Sequence, residues 1–97
     1  MQYLVMTSDI GDIDWDRHSD ALKMESKHIL SLYLKGILRN IWFTDKKDAI
    51  LLFECDSKDT VNIEMNKLPL VSKALIKYEI ISFNPYTGLE RLIHGAN

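Results

Sequence analysis

Glu25 is the side chain in this sequence best placed to do chemistry. It lies in the stretch 16–36, DRHSDALKMESKHILSLYLKG. A helical step of about 100° per residue puts Leu22, Ile29, Tyr33 and Gly36 on one side, with Leu32 at its margin. His18 and Glu25 fall on that same side, the side a small domain must bury. A carboxylate on an apolar stripe is costly unless it is paired, hydrogen-bonded or protonated. Two readings follow. Glu25 is a bridged core carboxylate, or it is a general acid or base lining a pocket, where burial moves its pKa toward neutrality. General acid–base chemistry needs such a group and a partner that holds the charge that develops. Arg39 can hold that charge or clamp a substrate carboxylate, and it can equally bridge to Glu25 or Glu54. His28, one turn after Glu25, reads as a second proton carrier or as an exposed helix histidine. Trp42, Tyr33, Phe43 and Tyr86 are candidate substrate-binding walls; Trp42 fits a core position equally well.

Other constellations carry less. His18, Glu25 and His28 lack the spacing of a helical metal pair. Asp9, Asp12 and Asp14 resemble a calcium loop only in part, with no twelve-residue pattern and no closing glutamate. No serine or threonine near a histidine forms a nucleophile signature. No metal is expected.

The elements that must position these residues follow from period and punctuation. Residues 2–7, QYLVMT, suit a strand buried on both faces. A loop over 8–16 contains Ile10, Ile13 and Trp15 and packs back on the protein, with Asp14 or Asp16 as N-cap of the helix. Gly36 closes that helix as its C′ residue. Residues 37–44 form a strand with Ile37, Arg39, Ile41 and Phe43 on one face and Leu38, Asn40, Trp42 and Thr44 on the other. The turn Asp45–Asp48 leads to a second strand over 49–55, giving an antiparallel hairpin. Ser57 caps a helix to Lys67 with Val61, Met65 and Leu68 as its stripe, and Pro69 ends it. An apolar connection begins at Leu68. A last strand covers 75–84, with Ile76, Tyr78 and Ile80 alternating with Lys77, Glu79 and Ile81. By regular alternation Arg39 and Trp42 cannot line one pocket unless a bulge or a subunit boundary intervenes.

The order β-α-β-β-α-β is the split βαβ pattern of a ferredoxin-like α+β fold: a four-stranded antiparallel sheet with two helices on one face. The strands are apolar on both faces, so the uncovered face needs cover, and sheet-against-sheet dimerisation supplies it. Positions 1–97 read as one domain, and the tail 85–97, carrying Tyr86, Leu89, Leu92 and Ile93, is expected to pack on a partner subunit. With 97 residues, 46% hydrophobic, the core is real but small, which favours a homo-oligomer. The 12 basic and 14 acidic residues form no basic stripe, which argues against nucleic acid. No apolar run approaches the ~20 residues of a membrane span. Cys55 is alone, so no internal disulfide forms. A cytoplasmic setting is expected.

Set in order, Leu22-Lys23 with Glu25, then Gly36-x-x-Arg39-x-x-Trp42, Leu68-Pro69-Leu70, Ile76-x-x-Glu79 and Pro85 resemble the muconolactone isomerase family, over about residues 2–86. The resemblance implies a dimeric α+β barrel, as a dimer or a larger ring of dimers. It also implies cofactor-independent isomerase chemistry, a proton moving across an enolate in a small lactone, within aromatic compound catabolism. Ser26-Lys27-His28 after Glu25, and the tail from Tyr86, depart from the family's pattern. Two other functions therefore stand beside the isomerase: a non-catalytic dimeric module binding a small ligand or protein, and a cofactor-free oxygenase on the same fold.

Overall fold

The computed structural model describes residues 1–93; the last four positions of the 85–97 tail lie outside the described residues. Four strands form one antiparallel sheet: β1 (Gln2–Asp9), β2 (Leu38–Phe43), β3 (Ala49–Glu54) and β4 (Ile76–Ser82), in the order β2-β3-β1-β4. The helices are α1 (Ser19–Leu34), α2 (Lys58–Lys67), α3 (Pro69–Ser72) and α4 (Glu90–Ile93). The topology is ferredoxin-like, as the element order predicts.

Inner and outer faces follow the pairing. Tyr3 faces Phe53 and Val5 faces Leu51, and all four are buried beneath the helices. Val61 and Met65 of α2, with Leu68, close over them. Leu4, Met6, Ile50, Leu52, Trp42 and Ile81 line the opposite face through the pairs Leu4–Leu52, Met6–Ile50, Trp42–Ile50 and Leu4–Ile81. Among the described residues no helix covers that face.

Strand β2 departs from regular alternation. Leu38 pairs with Phe53 and Asn40 with Leu52, so one extra residue, Arg39, sits in a bulge. The shift of parity turns Leu38 inward together with Ile41 and Phe43, and leaves Asn40 and Trp42 outward. Regular alternation placed Leu38 on Trp42's face; the bulge corrects that. Asn40 Oδ1 accepts the Ile41 N–H at 2.8 Å beside the irregularity.

Local chemistry sets the helix ends. Asp14 accepts the Asp16 N–H at 3.3 Å and caps a single 3-10 turn, Trp15–His18, which precedes α1. Gly36, at φ 77°, closes α1 with its N–H on Tyr33 O and the Ile37 N–H on Leu32 O, a Schellman arrangement. Ser57 caps α2 by accepting the Thr60 N–H at 3.3 Å. The stretch after Leu68 is helical rather than a plain connection, because Pro69 occupies the first position of α3, where its missing N–H costs nothing. Ala74, at φ 58°, ends α3 with the same Schellman pattern: the Leu75 N–H reaches Leu70 O and the Ala74 N–H reaches Val71 O.

Candidate functional site

The buried residues of α1 are Ala21 and Leu32, not the Leu22–Tyr33 stripe. Leu22 and Tyr33 are exposed, because that stripe faces an opening rather than a solid core. The opening is a cavity of about 880 Å³ between α1 and the inner face of the sheet. Leu22, Ile29, Leu30 and Tyr33 line it from α1, and Leu38, Ile41 and Phe43 from the bulged strand. Leu51, Met65, Leu68, Leu70 and Ile76 close its inner wall. Polar groups are few: Glu25 and Ser26 on α1, Thr7 and Asp9 on β1, and Lys47 and Asp48 at the β2–β3 turn.

Glu25 is half-buried where α1 crosses α3. Its Oε1 accepts the Leu70 N–H at 3.1 Å. The acceptor is needed there. Leu68, at the N-cap of α3, makes no side-chain cap, Pro69 has no N–H, and Leu70 carries the first free donor. The other carboxylate oxygen makes no hydrogen bond or ion pair among the described residues. Burial pushes the Glu25 carboxyl above its ordinary value of 4.5, while the Leu70 N–H and the charge of nearby His28 pull it down. The net result is a carboxyl that binds its proton more tightly than a surface glutamate and faces an apolar cavity.

The other sequence-derived residues divide between the cavity and elsewhere. Tyr33 and Phe43 line the cavity with Glu25. His28 lies in a separate groove, with Asp20, Met24, Lys67, Pro69 and Lys73. Arg39 is exposed on the bulge and makes no ion pair to Glu25 or Glu54 among the described residues; Glu54 instead lies 3.9 Å from the terminal amine. Trp42 is on the open face of the sheet. Tyr86 is exposed in the segment after β4.

Several lining residues were not singled out by sequence patterns. Thr7 donates to Ala49 O at 2.8 Å and so satisfies a buried hydroxyl on β1. Asp9 accepts the Trp15 Nε1–H at 3.1 Å, which anchors the loop after β1 over the cavity. The apolar residues of that loop were its signal. Lys47 and Asp48 sit in a turn without glycine, and only the turn's length hints at their setting. Among the described residues no cluster of His, Cys, Asp and Glu could hold a metal ion, and no helix is long and apolar enough to cross a membrane.

Among solved structures, the chain is similar to muconolactone isomerase, with a TM-score of 0.76 and 16% identity, covering 90% of this chain and 92% of that one. It is also similar to the 5-chloro-2-hydroxyhydroquinone dehydrochlorinase of Burkholderia phenoliruptrix in complex with 2,5-dihydroxybenzoquinone. That match has a TM-score of 0.72 and 16% identity, and covers 91% of this chain and 98% of the other. No protein-family model and no curated protein sequence matches it. At this identity the likeness establishes a shared fold, that of muconolactone isomerase.

Proposed function

We propose that the chain is a cofactor-independent, isomerase-like enzyme that moves a proton within a small lactone or other enolisable carbonyl compound. The observation that carries this reading is Glu25: a carboxyl with a raised pKa, one oxygen fixed by the Leu70 N–H, in the wall of an apolar cavity. Ionised Glu25 takes a proton from the carbon next to the carbonyl. The C–H electron pair enters the carbon framework, and the carbonyl oxygen takes up the charge as an enolate. Protonated Glu25 returns the proton at the far end of the conjugated system, and the double bond shifts with no change of oxidation state. Tyr33 lines the same cavity and supplies a hydroxyl that could serve as donor to the enolate oxygen; Phe43 offers an apolar wall. The two enzymes of this fold named above act on small oxygen-rich compounds, which supports a ligand of that size.

The test is proton exchange. Wild-type protein is incubated with a panel of unsaturated lactones in D₂O, and loss of the α-proton signal is followed by NMR. Glu25→Gln keeps an acceptor for Leu70 but no base, so turnover is expected to fall by about 10²–10⁴ with the fold intact and the melting temperature no lower than that of wild type. Unchanged exchange in that variant would remove Glu25 from the mechanism.

The assembly is part of the same reading. Leu4, Met6, Trp42, Ile50, Leu52 and Ile81 form an apolar sheet face with no helix over it among the described residues. Two copies packed through this face bury it, and the tail from Pro85 onward then lies along the partner. A monomeric mass at micromolar concentration would count against the dimer.

A further inference from the structure

The cavity contains one cationic side chain among the described residues, and it is not the one that sequence spacing favours. Arg39 is turned out on the bulge. Lys47 lines the cavity instead, from the turn between β2 and β3. That turn is tightly specified. The Thr44 N–H donates to Asp48 O at 2.8 Å, the Lys47 N–H to Thr44 O at 2.8 Å, and the Asp48 N–H to Thr44 Oγ1 at 3.2 Å. This is a three-residue hairpin loop whose last residue must be left-handed, a place that glycine fills without a steric penalty. Here it is Lys47, at φ 65°. A lysine in that conformation weakens the turn, and such outliers gather where a site constrains them. Lys47 makes no ion pair among the described residues, although Asp9 and Asp48 also line the cavity. Asp9 is engaged by the Trp15 indole. An exposed lysine without an ion-pair partner in the wall of a largely apolar cavity offers a recognition element for an anionic group.

We propose that Lys47 is the specificity residue of this cavity and selects ligands that carry a carboxylate. The inference rests on the reading of the cavity as a small-molecule site. It divides the work between two ends: Glu25 serves the carbon acid, and Lys47 at the hairpin receives the substrate's carboxylate. The hairpin thus sets which compounds enter, while α1 sets what happens to them.

The test uses the full chain and a matched pair of probes, 3-phenylpropanoate and 3-phenylpropanamide. Binding is measured by titration at neutral pH and localised by NMR shifts of Ile29, Leu30 and Ile41. Wild type is expected to prefer the acid by about tenfold or more, as a charge-assisted hydrogen bond allows. Lys47→Gly and Lys47→Met should abolish that preference, Lys47→Arg should keep most of it, and Lys47→Gly should preserve or raise the melting temperature. A preference that survives Lys47→Gly, or equal binding of acid and amide by wild type, overturns the role of Lys47 and leaves the cavity reading intact. If neither probe shifts the cavity resonances at millimolar concentration, the cavity reading falls and this inference falls with it.

Discussion

The two long helices lie on one sheet and treat it in opposite ways. Helix α2 presses Val61 and Met65 onto Tyr3, Val5 and Phe53 and leaves nothing of that contact exposed. Helix α1 touches the core through Ala21, Ile29 and Leu32 and otherwise stands off, with Leu22, Leu30 and Tyr33 around an opening. The difference separates two tasks that a small domain must share. One half supplies stability through close packing, and the other gives some up to hold a half-buried carboxyl beside space.

Mutation can break or sharpen this contrast. The largest effect is expected on the packed side: Phe53→Ala removes a fully buried ring and should cost about 3–5 kcal/mol, a fall of well over ten degrees in melting temperature by calorimetry. A loss under about 1 kcal/mol there would mean that the packed half is not the stable half.

On the open side, the charge of Glu25 should act against stability. Its folded pKa is raised, so the native state binds the proton more tightly than the unfolded chain does. That contribution is fully present below the unfolded value near 4.5 and is lost as pH rises through the folded pKa. Glu25→Gln should therefore flatten this decline and melt above wild type at pH 8, with little difference at pH 4. Thermal melts across that range decide it. A variant less stable than wild type at pH 8 would show that the ionised carboxylate is needed as a clamp on α3.

The two halves also end their helices differently. Gly36 takes the left-handed position after α1, whereas Ala74 takes it after α3 and bears a Cβ penalty of about 1 kcal/mol. Ala74→Gly should gain up to about 1 kcal/mol, reduced by the greater freedom of glycine in the unfolded chain. The smallest effect is expected at Leu30, which lines the cavity while largely exposed. Leu30→Ala should change stability by no more than about 0.5 kcal/mol in urea unfolding, while altering ligand affinity.

What the sequence makes legible is what local rules encode. Ser57, Gly36 and Pro69 mark helix ends through single-residue physics, and apolar period separates strands from helices. Glu25 stands out because a charge interrupts a stripe. The bulge is different. Nothing in ILRNIWFT announces an extra residue, because the parity of β2 is set by its partner: Leu38 must meet Phe53 while Ile41 meets Leu51. The places of Arg39 and Trp42 hang on that parity. The acceptor role of Glu25 toward Leu70 spans 45 positions and depends on how α1 crosses α3. The left-handed Lys47 follows from hairpin geometry, which residue type alone argues against.

The bulge at Arg39 also bears on how this chain tolerates change in length. Removal of that one residue would restore a regular ladder and leave every remaining side chain of β2 intact in identity. With Phe43 and Ala49 still joined by the same turn, Leu38 would precede Asn40 directly and stay opposite Phe53 on the inner face, while Ile41 and Phe43 keep their partners; what the extra residue adds is a local bend and twist of β2. The lining of the cavity therefore tolerates the loss of this residue, and length variation within β2 is expected to fall at this position rather than between Asn40 and Phe43.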